Sequence, residues 1–432
     1  MSPRGTTLTC DVDFILKSEE CIQAFLKFCK QSKTKYKPSR SMALALKLMT
    51  RLHNGTLDVT LPDGKTVRFK GDEDGPSARI NIHNDRVVNR FISQGKLGFC
   101  EAYLDGDWTS PDLTAFFEII LKNESYLIHM LEGSTWYRRL SWIIHKFQPN
   151  SRKGASKNIY RHYDLGNHFY SQWLDKSMTY SSAYFKSGNE ALEVAQAQKY
   201  KLMCERLDLK KDHHLLEIGC GWGGMAEYAA SNIGCKVTAI TISPSQYEYA
   251  KRRIENANLQ NLVDIKLCDY RDIKGKYDRI ASIEMFEAVG EAYWPLFFET
   301  IKKKLNKNGI ANLQIITIEE ESYDSYKSTA DFIQRYIFPG GMLPCQSVLE
   351  QQIRNSGLSI NDHVSFGKDY AKTLNIWHQS FQDKWPDLQG GAKDERFKKL
   401  WEEYLCYCEA GFKVGTIDVI QISMKNKGRQ VR

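Results

Sequence analysis

No apolar run in these 432 residues approaches the roughly 20 needed to cross a bilayer as a helix, which sets membrane-spanning chains aside. The opening stretch, MSPRGTTLTCDVDFILKSEE, has no apolar core of signal-peptide length and carries acids as early as Asp11 and Asp13, so a cytoplasmic protein is expected. Eleven cysteines are scattered without a CxxC pair; neither disulfides nor a structural zinc are expected, and no metal ligands are assigned. Internal repeats and low-complexity tracts are also missing, and a 42% hydrophobic, 12% aromatic composition excludes a disordered chain. What remains is a globular protein too long for one ordinary core, so two domains are expected.

One further absence is local. Between Arg138 and Arg161 there is no acid, while Arg138, Arg139, Lys146, Arg152, Lys153, Lys157 and Arg161 accumulate. Trp136, Leu140, Ile143, Ile144 and Phe147 recur there at helical spacing, which puts them on one face. Two readings fit: an interfacial helix drawn to an anionic membrane surface, or a core-packing helix followed by a solvated linker. Nucleic acid is disfavoured, because no binding motif accompanies the charge.

The chain before this region mixes helix and strand. Residues 39 to 60 read as a helix running into a strand, PDGKTVRF continues as a hairpin, and ARINIHN and DLTAFFEIILKN follow. The polar, basic QPNSRKGASKN (148 to 158) is the natural linker. It gives an N-terminal α+β domain over 1–150 and a second domain over 151–432. Beyond it, HLLEIG, KVTAITI, VDIKLCD, YDRIASIE and IANLQIITI alternate with helix-length segments. Such alternation predicts an α/β domain with a mainly parallel sheet, whose ligands sit at the carboxyl ends of the strands.

After the first of these strands comes EIGCGWGG. Gly219, Gly221 and Gly224 satisfy GxGxxG, but a dinucleotide fold would end its second strand with an acid, and AITISPSQ offers Thr241, Ser243 and Gln246 instead. The acids stand elsewhere: Glu217 before the glycines, Asp269 after the third strand. That arrangement resembles S-adenosylmethionine-dependent methyltransferases. HYDLGNHFYSQWLDKSMTYSSAYF, LEIGCGWGG, TISPSQ, IEMFEAVG, FIQRYIFPGGMLP and YLCYCEAGF, in that order, make the likeness specific: the sequence resembles the cyclopropane fatty acid synthase family of lipid methyltransferases.

The resemblance implies a Rossmann-like class I methyltransferase fold with a smaller lipid-associated N-terminal domain. It implies S-adenosylmethionine as cofactor, held by Tyr180, Ser181, Glu217, Gly219, Gly221, Gly223, Thr241, Ser243, Gln246, Asp269 and Tyr270. The acceptor would be the double bond of an unsaturated phospholipid acyl chain, giving a cyclopropane fatty acid, with the enzyme peripheral at the inner face of the membrane. A homodimer is compatible with this. It also implies a bicarbonate base gripped by side chains, onto which Glu287, Tyr370 and the backbone of Ile316 map directly, while Ser182 stands where Cys is usual and Gln314 where His is usual. Cys408 matches a further family cysteine, although a thiolate has no task in alkene methylation.

An alkene is a poor nucleophile, so such chemistry rests on alignment in a dry pocket, on aromatic faces that stabilise a carbocation, and on a base that takes its proton. Tyr180, Tyr184, Phe185, Phe286, Tyr336, Phe338 and Tyr370 are candidate faces; His162 and Asp164 would orient the lipid or cap a helix. Ser and Gln still donate to an anion but do not titrate near neutral pH, which makes a methyl- or methylene-branched product credible. The same two departures also suggest a rival of another class, a non-catalytic lipid-binding protein, and a different lipid acceptor is a third reading.

Overall fold

The computed structural model describes residues 36–126, 165–328, 331–390 and 393–426. The chain divides into two compact units, Met1–Ser134 and Thr135–Arg432. The linker expected at 148 to 158, the basic segment from Arg138 to Arg161, and His162 and Asp164 all lie outside the described residues.

In the first unit the Ser39 hydroxyl accepts the Met42 N–H at 3.1 Å and caps α1 (Arg40–Met49). The chain then forms β1 (Asn54–Thr60), β2 (Thr66–Lys70), β3 (Glu73–Ile82), α2 (Arg86–Leu104), β4 (Trp108–Thr109) and α3 (Leu113–Lys122). The hairpin read from PDGKTVRF is present: Leu61 N–H donates to Lys65 O at 2.8 Å across the Pro62-Asp63-Gly64 turn. The sheet runs β2-β1-β3-β4, with β1 and β3 parallel and the other neighbours antiparallel, so the unit is α+β as expected.

The second unit opens with α4 (Gly166–Ser171) and α5 (Leu192–Arg206) and then alternates: β5 (His214–Ile218), α6 (Gly224–Asn232), β6 (Lys236–Thr241), α7 (Pro244–Asn256), β7 (Val263–Leu267), β8 (Tyr277–Ile283), α8 (Trp294–Lys304) and β9 (Leu305–Ile318). All five strands read from the sequence form. They are followed by α9 (Glu320–Ser328), a π-turn (Ile333–Ile337), α10 (Gln346–Asn355), β10 (Ser359–Ser365), α11 (Gly367–Leu388), α12 (Glu395–Val414) and β11 (Ile417–Lys425).

The sheet order is β10-β11-β9-β8-β5-β6-β7, parallel from β9 to β7, with β11 and β10 added antiparallel at one edge. Its interior explains its register. Leu216 packs with Ile280, Phe297 and Leu313 on one face and Leu215 with Met203, Ala229 and Val237 on the other. Each fully buried leucine is worth about 1.5 to 3 kcal/mol, and together they fix where β5 ends. From β5 the chain builds outward through β6 and β7, then returns to β8 on the opposite side. The crevice beyond the ends of β5 and β8 is therefore the topological switch point where such sheets hold ligands. No helix among the described residues is long and apolar enough to cross a membrane.

Candidate active site

The turn after β5 is left-handed at Gly219 (φ +81°), Gly221 (φ +51°) and Gly223 (φ +86°). A Cβ on Gly219 would lie 2.6 Å from Met285 Cγ, so this glycine lets the segment after β8 close over the turn. At Gly221 the corresponding direction is open, leaving backbone that a ligand can approach. Beside it the buried Glu217 keeps Oε2 without a hydrogen-bond partner. Burial pushes this carboxyl up to about 8, against the pull of the Lys199 ammonium. An orphaned carboxyl oxygen next to an open glycine turn fits the amine-bearing S-adenosylmethionine, whose positive charge would favour the ionised form of Glu217.

Beyond β6, the Thr241 hydroxyl donates to Gln246 Oε1 at 2.8 Å and accepts the Ser243 N–H at 3.1 Å. Ser243 Oγ accepts the Gln246 N–H at 3.4 Å and caps α7 just ahead of Pro244. Past β7, Arg271 forks onto Asp269 at 2.8 and 2.5 Å, so this carboxylate, expected to help hold the cofactor, already holds a guanidinium. Tyr270 meets Phe297 edge-on at 5.3 Å.

The centre of the site is Glu284, one residue past β8, with a left-handed backbone (φ +48°) that a side-chain-bearing residue adopts only where its surroundings over-determine it. Ser182 N–H (2.9 Å) and the Gln314 amide (2.7 Å) donate to its Oε1, and the Tyr370 hydroxyl (2.6 Å) donates to its Oε2. Glu287 receives the Ile316 N–H at 2.6 Å on Oε1, while its Oε2 has no hydrogen-bond partner. Burial, then the negative charge of Glu284, push the Glu287 carboxyl up to about 8. Burial raises Glu284 too, but the Tyr370 hydroxyl, the Lys199 ammonium and the two N–H donors oppose it. Burial prevails and the Glu284 carboxyl is raised overall, but its three donors favour the ionised form, so Glu284 is the readier of the two acids to carry the charge.

This corrects the sequence reading in three respects. Glu287, expected at the centre of the anion grip, is replaced there by Glu284. The Ser182 hydroxyl turns away to Ala183 O at 2.8 Å, and the backbone N–H is the donor instead. Finally, the expected bicarbonate donors are shared between two carboxylates, so the residues present do not fit a further anion. Gln314 and Tyr370 do converge as expected. Burial raises the Cys408 thiol, which stays protonated and takes no part in this cluster.

A wall of rings adjoins the carboxylates. The Tyr180 hydroxyl donates to the Tyr404 oxygen at 2.9 Å, and its ring lies 5.4 Å from Tyr170 and Trp377 and 5.6 Å from Trp173. Tyr370 stacks on Phe412 at 4.4 Å, and Phe338 lies 6.1 Å from Tyr404. Of the faces proposed from sequence, Tyr180, Phe338 and Tyr370 belong to this wall. Phe286 is core, packed on Trp294, Phe297 and Phe298; Tyr184 meets Phe366, Phe185 lies under Lys372, and Tyr336 beside Phe332. Ser181 accepts from Lys199 Nζ at 2.6 Å. Sequence reasoning missed Glu284, Lys199, Trp173, Trp377 and Tyr404. Glu284 had a signal: it closes the YDRIASIE run, at the strand end where an α/β sheet places ligand groups.

The profile of the mycolic acid cyclopropane synthetase family matches residues 150–422. The chain is 35% identical over 402 residues to tuberculostearic acid methyltransferase UfaA1 of Mycobacterium tuberculosis, spanning 90% of this chain and 92% of that one. It is also 35% identical to the cyclopropane-fatty-acyl-phospholipid synthase of Escherichia coli, over 80% of this chain and 87% of the other. Among solved structures, cyclopropane synthase MmaA2 from Mycobacterium tuberculosis superposes with TM-score 0.59 at 28% identity, covering 62% of this chain and 98% of its own. Mycolic acid cyclopropane synthase CmaA1, complexed with SAH and CTAB, gives the same four values.

Proposed function

Because the chain belongs to the mycolic acid cyclopropane synthetase family, whose members are S-adenosylmethionine-dependent methyltransferases, we propose that it methylates the double bond of an unsaturated phospholipid acyl chain and that Glu284 takes the proton released. The carboxylate held by Ser182, Gln314 and Tyr370 carries this reading. The cofactor, when bound, supplies a methyl group activated on a positively charged sulfur. The chain's own residues do the rest. The glycine turn and Glu217 orient the donor, the rings from Tyr170 to Tyr404 exclude water, and their faces stabilise the cation left on the acyl chain.

Transfer would join the methyl carbon to one alkene carbon as the sulfur–methyl bond breaks, leaving a neutral thioether on the donor and the positive charge on the other alkene carbon. Glu284 then removes a proton from the added methyl, and the freed electron pair closes a cyclopropane ring. A second reading is favoured by the Ser182 and Gln314 departures and by the relative named as a tuberculostearic acid methyltransferase. In it a hydride first moves the charge onto the methyl-bearing carbon, and the same proton loss leaves a methylene branch. In both, the base is built into the chain and no bicarbonate is used. A phospholipid acceptor places the reaction at a membrane surface.

Incubation with methyl-labelled cofactor and dioleoyl phospholipid vesicles, followed by gas chromatography with mass detection of the acyl chains, tests this. Label in a ring or branch of the chain is expected. Label confined to the headgroup would reassign the acceptor, and no transfer to any mono-unsaturated lipid would remove the activity.

A further inference from the structure

Lys199 on α5 is fully buried, which a lysine rarely is unless it is paired. Its Nζ donates to Ser181 Oγ at 2.6 Å and lies 4.6 Å from the centre of the Tyr200 ring, and neither group carries a compensating charge. Three carboxylates act on it from other elements: Glu284 past β8, Asp175 in the loop after α4, and Glu217 on β5. Two of these keep an oxygen with no hydrogen-bond partner, Asp175 Oδ1 and Glu217 Oε2. Ser181, which the ammonium tethers, immediately precedes Ser182, whose N–H holds Glu284.

Glu284 has the complementary need. Ser182, Gln314 and Tyr370 are neutral donors, Glu287 is a second acid, and the cation acting on Glu284 is Lys199, whose own charge burial disfavours, pulling it down to about 7 against the three carboxyls. We infer that Lys199 is a positioning residue for the reaction: the buried counter-charge that keeps Glu284 ionised in the dry site and, through Ser181, steadies the Ser182 N–H that holds it. This rests on Glu284 being the base. Without the ammonium, three neutral hydrogen bonds would have to hold a buried negative charge near another acid, and the carboxyl would bind a proton before the substrate could deliver one.

The test is the pH dependence of kcat/KM for methyl transfer to dioleoyl phospholipid vesicles at saturating cofactor, in wild type, Lys199→Met, Lys199→Gln and Glu284→Gln. Loss of the charge is expected to move the acid limb up by about 1 to 3 units, with turnover recovering at high pH. Glu284→Gln should stay about 10² to 10⁴ below wild type at every pH. A uniform fall with the limb unmoved in the lysine variants, beside a Glu284→Gln lowered to that extent, overturns the role of Lys199 and leaves the base in place; a Glu284→Gln as active as wild type overturns the base itself. Should both lysine variants fail to fold, infrared difference spectra of wild type minus Glu284→Gln at neutral pH decide. An ionised carboxylate band is expected, and a protonated carbonyl band overturns the inference.

Discussion

The Gln314 amide donates to Glu284 Oε1 at 2.7 Å, and the Glu284 N–H donates back to Gln314 O at 2.9 Å. Adjacent parallel strands make this possible, since Ile283 of β8 pairs in register with Gln314 of β9. The amide orientation is set from behind: Gln421 on β11 donates to Gln314 Oε1 at 3.1 Å, leaving Nε2 for the acid. A glutamine does not titrate, so the pH behaviour of the centre belongs to its carboxyls and Lys199.

Replacing Glu284 with Gln is expected to lower turnover by about 10² to 10⁴ while S-adenosylhomocysteine still binds, as measured by calorimetry. Glu284→Ala should regain part of that loss when formate or bicarbonate is added, since the three donors then face a space for a small anion. No response to either anion would argue that the proton leaves elsewhere.

Tyr370→Phe keeps the ring on Phe412 but deletes the strongest hydrogen bond to the ionised acid. The carboxyl then rises, so the base is neutralised at higher pH, and the acid limb of the rate profile should move up by about one unit. A loss of rate that is equal at all pH values would assign the hydroxyl to packing.

For Ser182→Ala the hydroxyl lost is the one bonded to Ala183 O, while the backbone donor to Glu284 stays. Turnover should change by less than about threefold, under about 1 kcal/mol of barrier. A hundredfold drop in steady-state rate would restore the side chain to the reaction.

Glu287 has an ordinary value of 4.5 and is raised to about 8 in the fold, so the native state holds its proton more tightly than the unfolded chain does. The stability this contributes is complete below about 4.5, declines as pH rises, and is gone once pH passes about 8. Glu287→Gln keeps a neutral group there. Its urea midpoint should therefore decline less than that of wild type between about pH 6 and about pH 9, and parallel declines would show Glu287 already ionised.

Gly219→Ala meets Met285 Cγ at 2.6 Å and forces alanine to a φ of +81°. A loss of about 1 to 3 kcal/mol is expected from the backbone alone, with overpacking added. Met285→Ala in the same chain should recover the second part and not the first, giving a favourable coupling in a double-mutant cycle read by denaturant unfolding.

Local pattern was enough for much of this. The five strand-like runs, the hairpin at Pro62-Asp63-Gly64 and the glycine turn after β5 were legible because each depends on neighbours within a few residues. β10 escaped because SINDHVS is largely polar on an exposed edge, where periodicity gives little signal.

By itself, then, the sequence determined the mainly parallel α/β unit, the cofactor turn and the motif resemblance that pointed to lipid methylation. Which acid sits at the centre was decided only by the tertiary structure. Ser182, Glu284, Gln314 and Tyr370 come from a loop, the turn just past β8, strand β9 and a helix far apart in the chain, and Lys199 looks like any helical lysine until burial removes its water. A carboxylate becomes a base through the donors and charges around it, and those neighbours exist only once the sheet has set its register.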